Sequence, residues 1–297
     1  WQNHATTAPW NSTTNYTPID MRKRTVITLA IVLALLGGLG FGAWKGYEWL
    51  EARMNPDGCY LQVDGADEPL RLTSEQAMNA SIIAAESYNR GLPEQAAVIA
   101  LATAWQESGL RNLGYGDRDS LGLFQQRPSY DWGTKEQIMD PWYSSGRFYE
   151  ELVKFDNWES IDVNDIAQKV QRSGHPEAYR KHETNARALA GAFRGSKEGV
   201  LACLNREGTG TDRSVLDKVV ATVPGVEIQG SGSETTLTAS SPSAAWSVAQ
   251  LAIANSADAG LTKVAVGDNQ WSQDVRAWKN LQPISGEAAK VTLSFTS

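Results

Sequence analysis

Glu107 is the residue of this sequence best placed for proton-transfer chemistry. A helix is expected over roughly 93–108, because Pro93 suits its first position and Gly109 the position just past its end. An apolar stripe at helical spacing ends at Glu107 and consists of Ala96, Ile99, Ala100 and Thr103. Desolvation by this stripe and the negative end of the helix dipole favour a protonated carboxyl group, which a general acid requires. Helix geometry alone nevertheless favours an ordinary glutamate that faces water.

Short motifs after this helix carry more information than the helix itself. In order they are Glu107-Ser108-Gly109, Asn112, Ser120, Gly122-Leu123-Phe124-Gln125 and Pro128. The pattern resembles the lytic transglycosylase and lysozyme-like superfamily, in which a catalytic Glu-Ser is followed by Gly-Leu-Met-Gln and a proline three positions on. Asp140 and Pro141 would cap and begin the next helix, which is also similar to that family. The resemblance covers roughly residues 74–194 and implies a mainly α, lysozyme-like domain.

The third motif of the family, Ala-Tyr-Asn-Ala-Gly, is where this sequence departs from the pattern. Its best positional match is Val170-Gln171-Arg172-Ser173-Gly174, with Gln171 in place of the tyrosine. Tyr179 is an alternative source of a phenol. Each of these two residues has an alternative interpretation, Gln171 as part of a polar helix face and Tyr179 as a packed aromatic.

The resemblance implies a mechanism with one carboxyl group. Glu107 would protonate the glycosidic oxygen between N-acetylmuramic acid and N-acetylglucosamine. It would then accept a proton from the C6 hydroxyl of the same sugar, which leaves a 1,6-anhydro product. Asp117 and Asp119 are the nearby candidates for a second carboxylate, which would make hydrolysis possible, although both fit ordinary turn chemistry.

The same resemblance suggests which residues line the sugar cleft. Gln125 is expected to hydrogen-bond to the glycan, and Gly122 would let the backbone approach it closely. Ser108 and Ser120 are further candidates near the acid, although serines at helix ends and turns are usually structural. Four tryptophans could stack on sugars or fill the core: Trp105, Trp132, Trp142 and Trp158.

Composition argues against several other classes of protein. The net charge of −7 argues against nucleic acid as a partner, because phosphate recognition needs a basic face. The three histidines are too few and too scattered for a metal cluster, and we expect no cofactor and no metal. A single apolar segment also argues against a transporter, which needs several spans.

The N-terminal region is expected to anchor the chain in a membrane. Residues 1–20 are polar and are predicted to be disordered. Arg22-Lys23-Arg24 precedes an uncharged stretch, Thr25–Trp44, which is long enough for a hydrocarbon core of ~30 Å. The basic cluster places the N-terminus in the cytoplasm and the remaining chain outside. A cleaved signal peptide is the alternative, in which case the protein would be secreted.

The remaining chain is predicted to contain a juxtamembrane linker and two domains. The membrane anchor takes 21–44, the linker 45–58, the lysozyme-like domain 59–204 and a small α+β domain of unknown role 212–297. In an exported chain, Cys59 and Cys203 would form a disulfide worth ~4–5 kcal/mol in the chain-entropy model. Two buried free thiols are the alternative.

The sequence therefore predicts one of two functions. The first is a peptidoglycan-cleaving enzyme of the cell envelope, either a lytic transglycosylase or a muramidase. The second is a non-catalytic protein that binds peptidoglycan or acts as an envelope scaffold, a possibility that the altered third motif keeps open. Glycan binding without bond cleavage would favour the second.

Overall fold

The computed structural model describes residues 21–172, 177–206, 210–230, 232–284 and 289–296. The chain divides into two compact units, Trp1–Pro56 and Asp57–Ser297. The segment 1–20, which we predicted to be disordered, lies outside the described residues.

The first unit contains one long helix, α1 (Met21–Met54). Its segment Thr25–Tyr47 is long and apolar enough to cross a membrane, although a signal sequence would meet the same test. At 1.5 Å per residue this segment spans about 35 Å, against a hydrocarbon core of about 30 Å. The first part of the juxtamembrane segment 45–58 prolongs this helix to Met54, and the chain breaks at Asn55 and Pro56. The sidedness of the anchor stays a prediction.

The second unit consists of nine helices and eight strands within the described residues. The helices are α2 (Ser74–Asn89), α3 (Glu94–Ser108), α4 (Lys135–Ile138), α5 (Pro141–Leu152), α6 (Val163–Gln171), α7 (Glu183–Phe193), α8 (Ser214–Ala221), α9 (Pro242–Ala254) and α10 (Ser256–Ala259). The strands are β1 (Gly58–Leu61), β2 (Leu70–Leu72), β3 (Leu201–Leu204), β4 (Val226–Gln229), β5 (Glu234–Ala239), β6 (Leu261–Val266), β7 (Asn269–Ser272) and β8 (Ala289–Phe295). Short 3₁₀ turns occupy Pro128–Tyr130, Trp158–Ser160 and Arg180–His182.

Helix α3 forms the centre of the helical part. It contacts α2, α6 and α7. Every residue from Ala96 to Ala104 is buried, so the helix is enclosed on all sides rather than along the single stripe that we expected. Its alanines allow this enclosure because they let neighbouring helices approach closely. Gly109 ends the helix in the left-handed conformation, with φ 65°, as a C-terminal glycine commonly does.

The strands form two antiparallel sheets. The first has the order β2-β1-β3, and the second has the order β4-β5-β8-β6-β7. Helix α9 is buried from Ala244 to Ala254 and contacts β5, β6 and β8 as well as α2 and α7. It therefore lies between the larger sheet and the helical part.

We predicted a boundary between two domains at 205–211. The residues before and after this segment instead belong to one compact unit. Gln250 on α9 donates through Nε2 to the carbonyl oxygens of Ala192 (2.9 Å) and Lys197 (2.8 Å). Trp271 donates through Nε1 to the carbonyl oxygen of Cys203 (3.2 Å). The C-terminal region is an α+β layer, as expected, but it packs into one unit with the helices.

The disulfide prediction is confirmed. Cys59 and Cys203 are bonded, and they face each other as paired residues of β1 and β3. Both side chains are buried. The bond therefore joins the strand that opens the compact unit to the strand that follows α7.

Candidate active site

Glu107 lies at the end of α3, where the buried helix reaches a cleft. The helix is buried from Ala96 to Ala104, whereas Glu107 is half-buried and lines the cleft. The cleft has a volume of about 780 Å³. Pockets of 300–1,000 Å³ are typical of small-ligand sites. The carboxyl group is therefore held by a rigid helix and faces a space that a ligand can enter.

Tyr179 is the phenol beside this carboxyl group. Its side chain is fully buried, and its hydroxyl donates to Glu107 Oε1 at 2.7 Å. The backbone N–H groups of Tyr179 and Arg180 both donate to Oδ1 of the buried Asn164, at 3.2 Å each. The Asn164 amide on α6 therefore fixes the turn that places the phenol against Glu107.

Gln171 occupies a different place from the phenol. It lines the cleft at the end of α6, and its Nε2 donates to the carbonyl oxygen of Phe124 at 2.8 Å. Gln171 and Tyr179 were the two candidates for the role of the motif's tyrosine. Tyr179 contacts Glu107, whereas Gln171 binds the backbone of the Gly122–Gln125 turn. Ser173 and Gly174 of that motif lie outside the described residues.

Ser108 connects the helix to the same turn. Its buried hydroxyl donates to the carbonyl oxygen of Leu123 at 2.7 Å and accepts from the N–H of Arg111 at 3.2 Å. Ser108 does not line the cleft. Ser108, which we expected to bind substrate, fixes the position of the Gly122–Gln125 turn relative to Glu107.

The Gly122–Gln125 turn forms part of the cleft wall. Gly122 donates its N–H to the carbonyl oxygen of Leu113 at 2.7 Å. Gln125 has φ 48°, and its Nε2 lies 3.3 Å from the carbonyl oxygens of both Tyr115 and Gly122. The Gln125 side chain, expected to bind glycan, thus lines the cleft while its amide nitrogen ties the loop together. Ser120 also lines the cleft.

The Gly122→Ala variant is expected to be less stable by about 2 kcal/mol or more. Gly122 has φ 75°, and a Cβ there would lie 2.7 Å from the carbonyl oxygen of Ile138. The measurement is the free energy of unfolding from denaturant titration. Gly114→Ala is the matched control in the same loop, because a Cβ at Gly114 meets nothing within 4 Å. Equal stability of the two variants would contradict the prediction.

The two candidates for a second carboxylate are separated by the structure. Asp117 lines the cleft, with its Oδ2 3.9 Å from Arg118 Nε. Asp119 does not line it: its carboxylate accepts from the N–H of Ser129 (2.9 Å) and from Arg127 Nε (2.7 Å). The hydrogen bonds from Ser129 and Arg127 lower the pKa of Asp119 far below its ordinary range. Asp119 therefore stabilises the loop between Asp119 and Ser129.

Sequence reasoning missed two carboxylates that line the cleft. Asp131 follows the 3₁₀ turn and has φ 60°. Glu151 lies on α5 and pairs with Arg147 (3.3 Å) and Lys154 (2.6 Å), which also line the cleft. The signal for this wall was the charge pattern at the end of α5, where Arg147 and Glu151 lie four residues apart on one helical face and Lys154 follows just past the helix.

Of the four tryptophans considered for sugar stacking, only Trp132 lines the cleft within the described residues. The exposed Tyr130 also lines the cleft. The guanidinium of Arg127 lies 4.3 Å from the Tyr130 ring centroid. Two flat rings in one cleft suit the apolar faces of sugars. The other three lie elsewhere: Trp105 stacks on His182, Trp142 lies beneath Lys218 and Trp158 is buried.

His182 packs against the C-terminal end of α3. Its ring stacks on Trp105 with centroids 6.0 Å apart, and its Nε2 lies 3.1 Å from Gln106 Oε1. Burial, with a smaller contribution from Lys181, lowers the pKa of His182. The described residues contain no group of three or more His, Cys, Asp or Glu side chains that could hold a metal ion.

The lowered pKa of His182 predicts a pH dependence of stability. The unfolded chain binds a proton at this histidine more readily than the folded chain does, so stability is lost as the pH falls below about 6.5. The free energy of unfolding, measured at several pH values between about 5 and 8, should fall less steeply on acidification in a His182→Gln variant. Identical pH profiles for the two proteins would contradict this prediction.

No family model matches the chain, and no curated protein matches it. The functional assignment therefore depends on the geometry of the cleft, and the resemblance described above stays a prediction.

Proposed function

We propose that the chain is an envelope-anchored enzyme that cleaves the glycan strands of peptidoglycan, with Glu107 as general acid and base. The observation that carries this proposal is the placement of Glu107. Its carboxyl group lines a cleft of about 780 Å³ and receives a hydrogen bond from the buried Tyr179 hydroxyl. An acid on a rigid helix end, oriented by a buried donor, has the geometry that proton transfer to a bound substrate requires.

The proposed reaction begins with proton transfer from Glu107 to the glycosidic oxygen. The bond between that oxygen and the anomeric carbon then breaks, and positive charge develops on the sugar ring. The resulting Glu107 carboxylate keeps the hydrogen bond from Tyr179. It next takes a proton from the C6 hydroxyl, whose oxygen attacks the anomeric carbon. The product is a 1,6-anhydro sugar, and Glu107 is again protonated.

Hydrolysis is the competing outcome in the same cleft. It requires a water molecule as nucleophile and commonly a second carboxylate. Asp117, Asp131 and Glu151 line the cleft, and Glu151 is already paired with Arg147 and Lys154. Tyr130 and Trp132 provide ring surfaces on which either kind of substrate complex would stack.

The first unit and the disulfide support the proposed location. An N-terminal helix that can cross a membrane supports an anchored protein, and the Cys59–Cys203 bond supports an oxidising compartment for the second unit. The motif resemblance around Glu107, together with an exported second unit, supports peptidoglycan as the substrate.

The test is to incubate the full chain in detergent with purified cell walls and to analyse the released fragments by mass spectrometry. Anhydro ends support a lyase, and products heavier by one water support a hydrolase. A chain that binds cell walls but releases nothing is the non-catalytic binder. A chain that neither binds nor cleaves would overturn the proposal.

A further inference from the structure

The positive charges that line the cleft are not equivalent. Three of the four cationic side chains are already neutralised by carboxylates. Arg127 Nε lies 2.7 Å from Asp119 Oδ1, Arg147 Nη1 lies 2.5 Å from Glu150 Oε2, and Lys154 Nζ lies 2.6 Å from Glu151 Oε1. These three cations therefore offer little net attraction to an anionic ligand.

Arg172 is the fourth cation of the cleft, and it has no ion pair within the described residues. It lines the cleft at the end of α6, directly after Gln171, and its side chain is exposed. An exposed guanidinium that makes no ion pair in the described part of the chain, in a cleft that also contains Glu107, is available to a ligand.

The backbone of Arg172 points to the same role. It adopts the left-handed conformation, with φ 53°, at the C-terminal cap of α6. Glycine is the usual residue there, because a side chain makes this conformation unfavourable. Residues held in strained backbone conformations cluster at binding and catalytic sites, where the surrounding structure maintains them.

A second explanation for Arg172 is that a cation stabilises the negative end of the helix dipole. Lys169 lies in the last turn of the same helix and already supplies such a charge. Lys169 is exposed and does not line the cleft. The two residues therefore allow the helix effect to be separated from ligand binding.

We propose that Arg172 binds a carboxylate carried by the glycan strand, and that the cleft selects acidic glycans over neutral ones. This inference rests on the function proposed above and specifies its substrate class. The planar guanidinium can hold a carboxylate through two parallel hydrogen bonds. In peptidoglycan the carboxylate has two sources, the lactyl group of a muramic acid without a peptide, or the peptide attached to that group.

The experiment measures binding rather than turnover, with the full chain in detergent and Glu107→Gln in every protein. The ligands are a neutral N-acetylglucosamine oligosaccharide, glycan strands stripped of peptide, and strands that retain their peptides. Titration calorimetry should show acidic strands binding about tenfold more tightly than the neutral oligosaccharide. Adding Arg172→Gln should remove most of this difference while the neutral ligand binds as before.

Lys169→Gln is the matched control, because it removes the same charge from the same helix outside the cleft. It should leave the preference for acidic strands intact. Arg172→Lys keeps the charge but not the planar fork, and it should retain part of the preference. A preference for stripped strands identifies the lactyl carboxylate, and a preference for peptide-bearing strands identifies the peptide.

Several results would overturn the inference. Equal binding of neutral and acidic ligands before Arg172 is changed would refute it and leave the proposed function standing. An equal loss in the Arg172 and Lys169 variants, or a loss for neutral and acidic ligands alike, would show that Arg172 acts through the fold. No binding of any ligand would refute the proposed function as well.

Discussion

Replacing Glu107 with glutamine is expected to reduce the rate of glycan cleavage by at least about a hundredfold, the typical contribution of a positioned acid or base. The substitution nearly preserves shape, and the amide oxygen can still accept the hydrogen bond that Tyr179 donates at 2.7 Å. What the amide cannot do is transfer a proton to the glycosidic oxygen. Initial rates of fragment release from cell walls measure the loss, and glycan titration should show that binding persists.

Glu151→Gln is the matched control, since it makes the same chemical change in another carboxylate of the cleft. If Glu107 works alone, as in the lyase mechanism, this variant should retain most of the activity. A loss as large as that of Glu107→Gln would instead identify Glu151 as a second carboxylate and favour hydrolysis. Full activity in the Glu107 variant would show that the general acid is another residue.

The features that could be predicted from sequence are those set by local interactions. Thr73 and Gln76 form a capping box at the start of α2, with both reciprocal hydrogen bonds present, and their spacing is visible in the sequence. Asp140 caps α5 and Pro141 begins it, as expected. Such signals lie within four residues of the structure they determine, so one sequence contains all the information required.

The surroundings of Glu107 could not be predicted in the same way. Tyr179 is 72 residues away from Glu107, and it reaches the acid only because Asn164 fixes its turn. Glu151 approaches the cleft from a separate helix. The sequence offered Gln171 or Tyr179 in place of the motif's tyrosine, but tertiary packing decides which of them contacts Glu107.

The C-terminal region shows how composition can mislead about domain boundaries. The glycines and polar residues of 205–211 are typical of a linker. Two interactions across this segment, from Gln250 to Ala192 and from Trp271 to Cys203, are invisible in local sequence. They arise because α9 is apolar nearly all round and is buried both against the sheet and against the helices.

Removal of the disulfide is expected to have the largest effect on stability. The Cys59→Ala, Cys203→Ala double variant should lose about 4–5 kcal/mol of the free energy of unfolding, because the bond closes a long loop in the unfolded chain. The two cysteines are 144 residues apart in sequence. Changing both avoids a buried single thiol. Denaturant titration of the oxidised protein and the double variant measures the difference.

The location of the bond explains why its loss should affect the whole unit rather than one strand. β1 pairs with β3 through four residue pairs, and β3 begins only eight residues after α7 ends. Trp271 Nε1 donates to the carbonyl oxygen of Cys203, so the sheet region also depends on the position of β3. The wild-type protein under reducing conditions should match the double variant. A difference of less than about 1 kcal/mol between oxidised and reduced protein would show that strand pairing alone holds this junction, since native disulfides typically contribute about 2–5 kcal/mol.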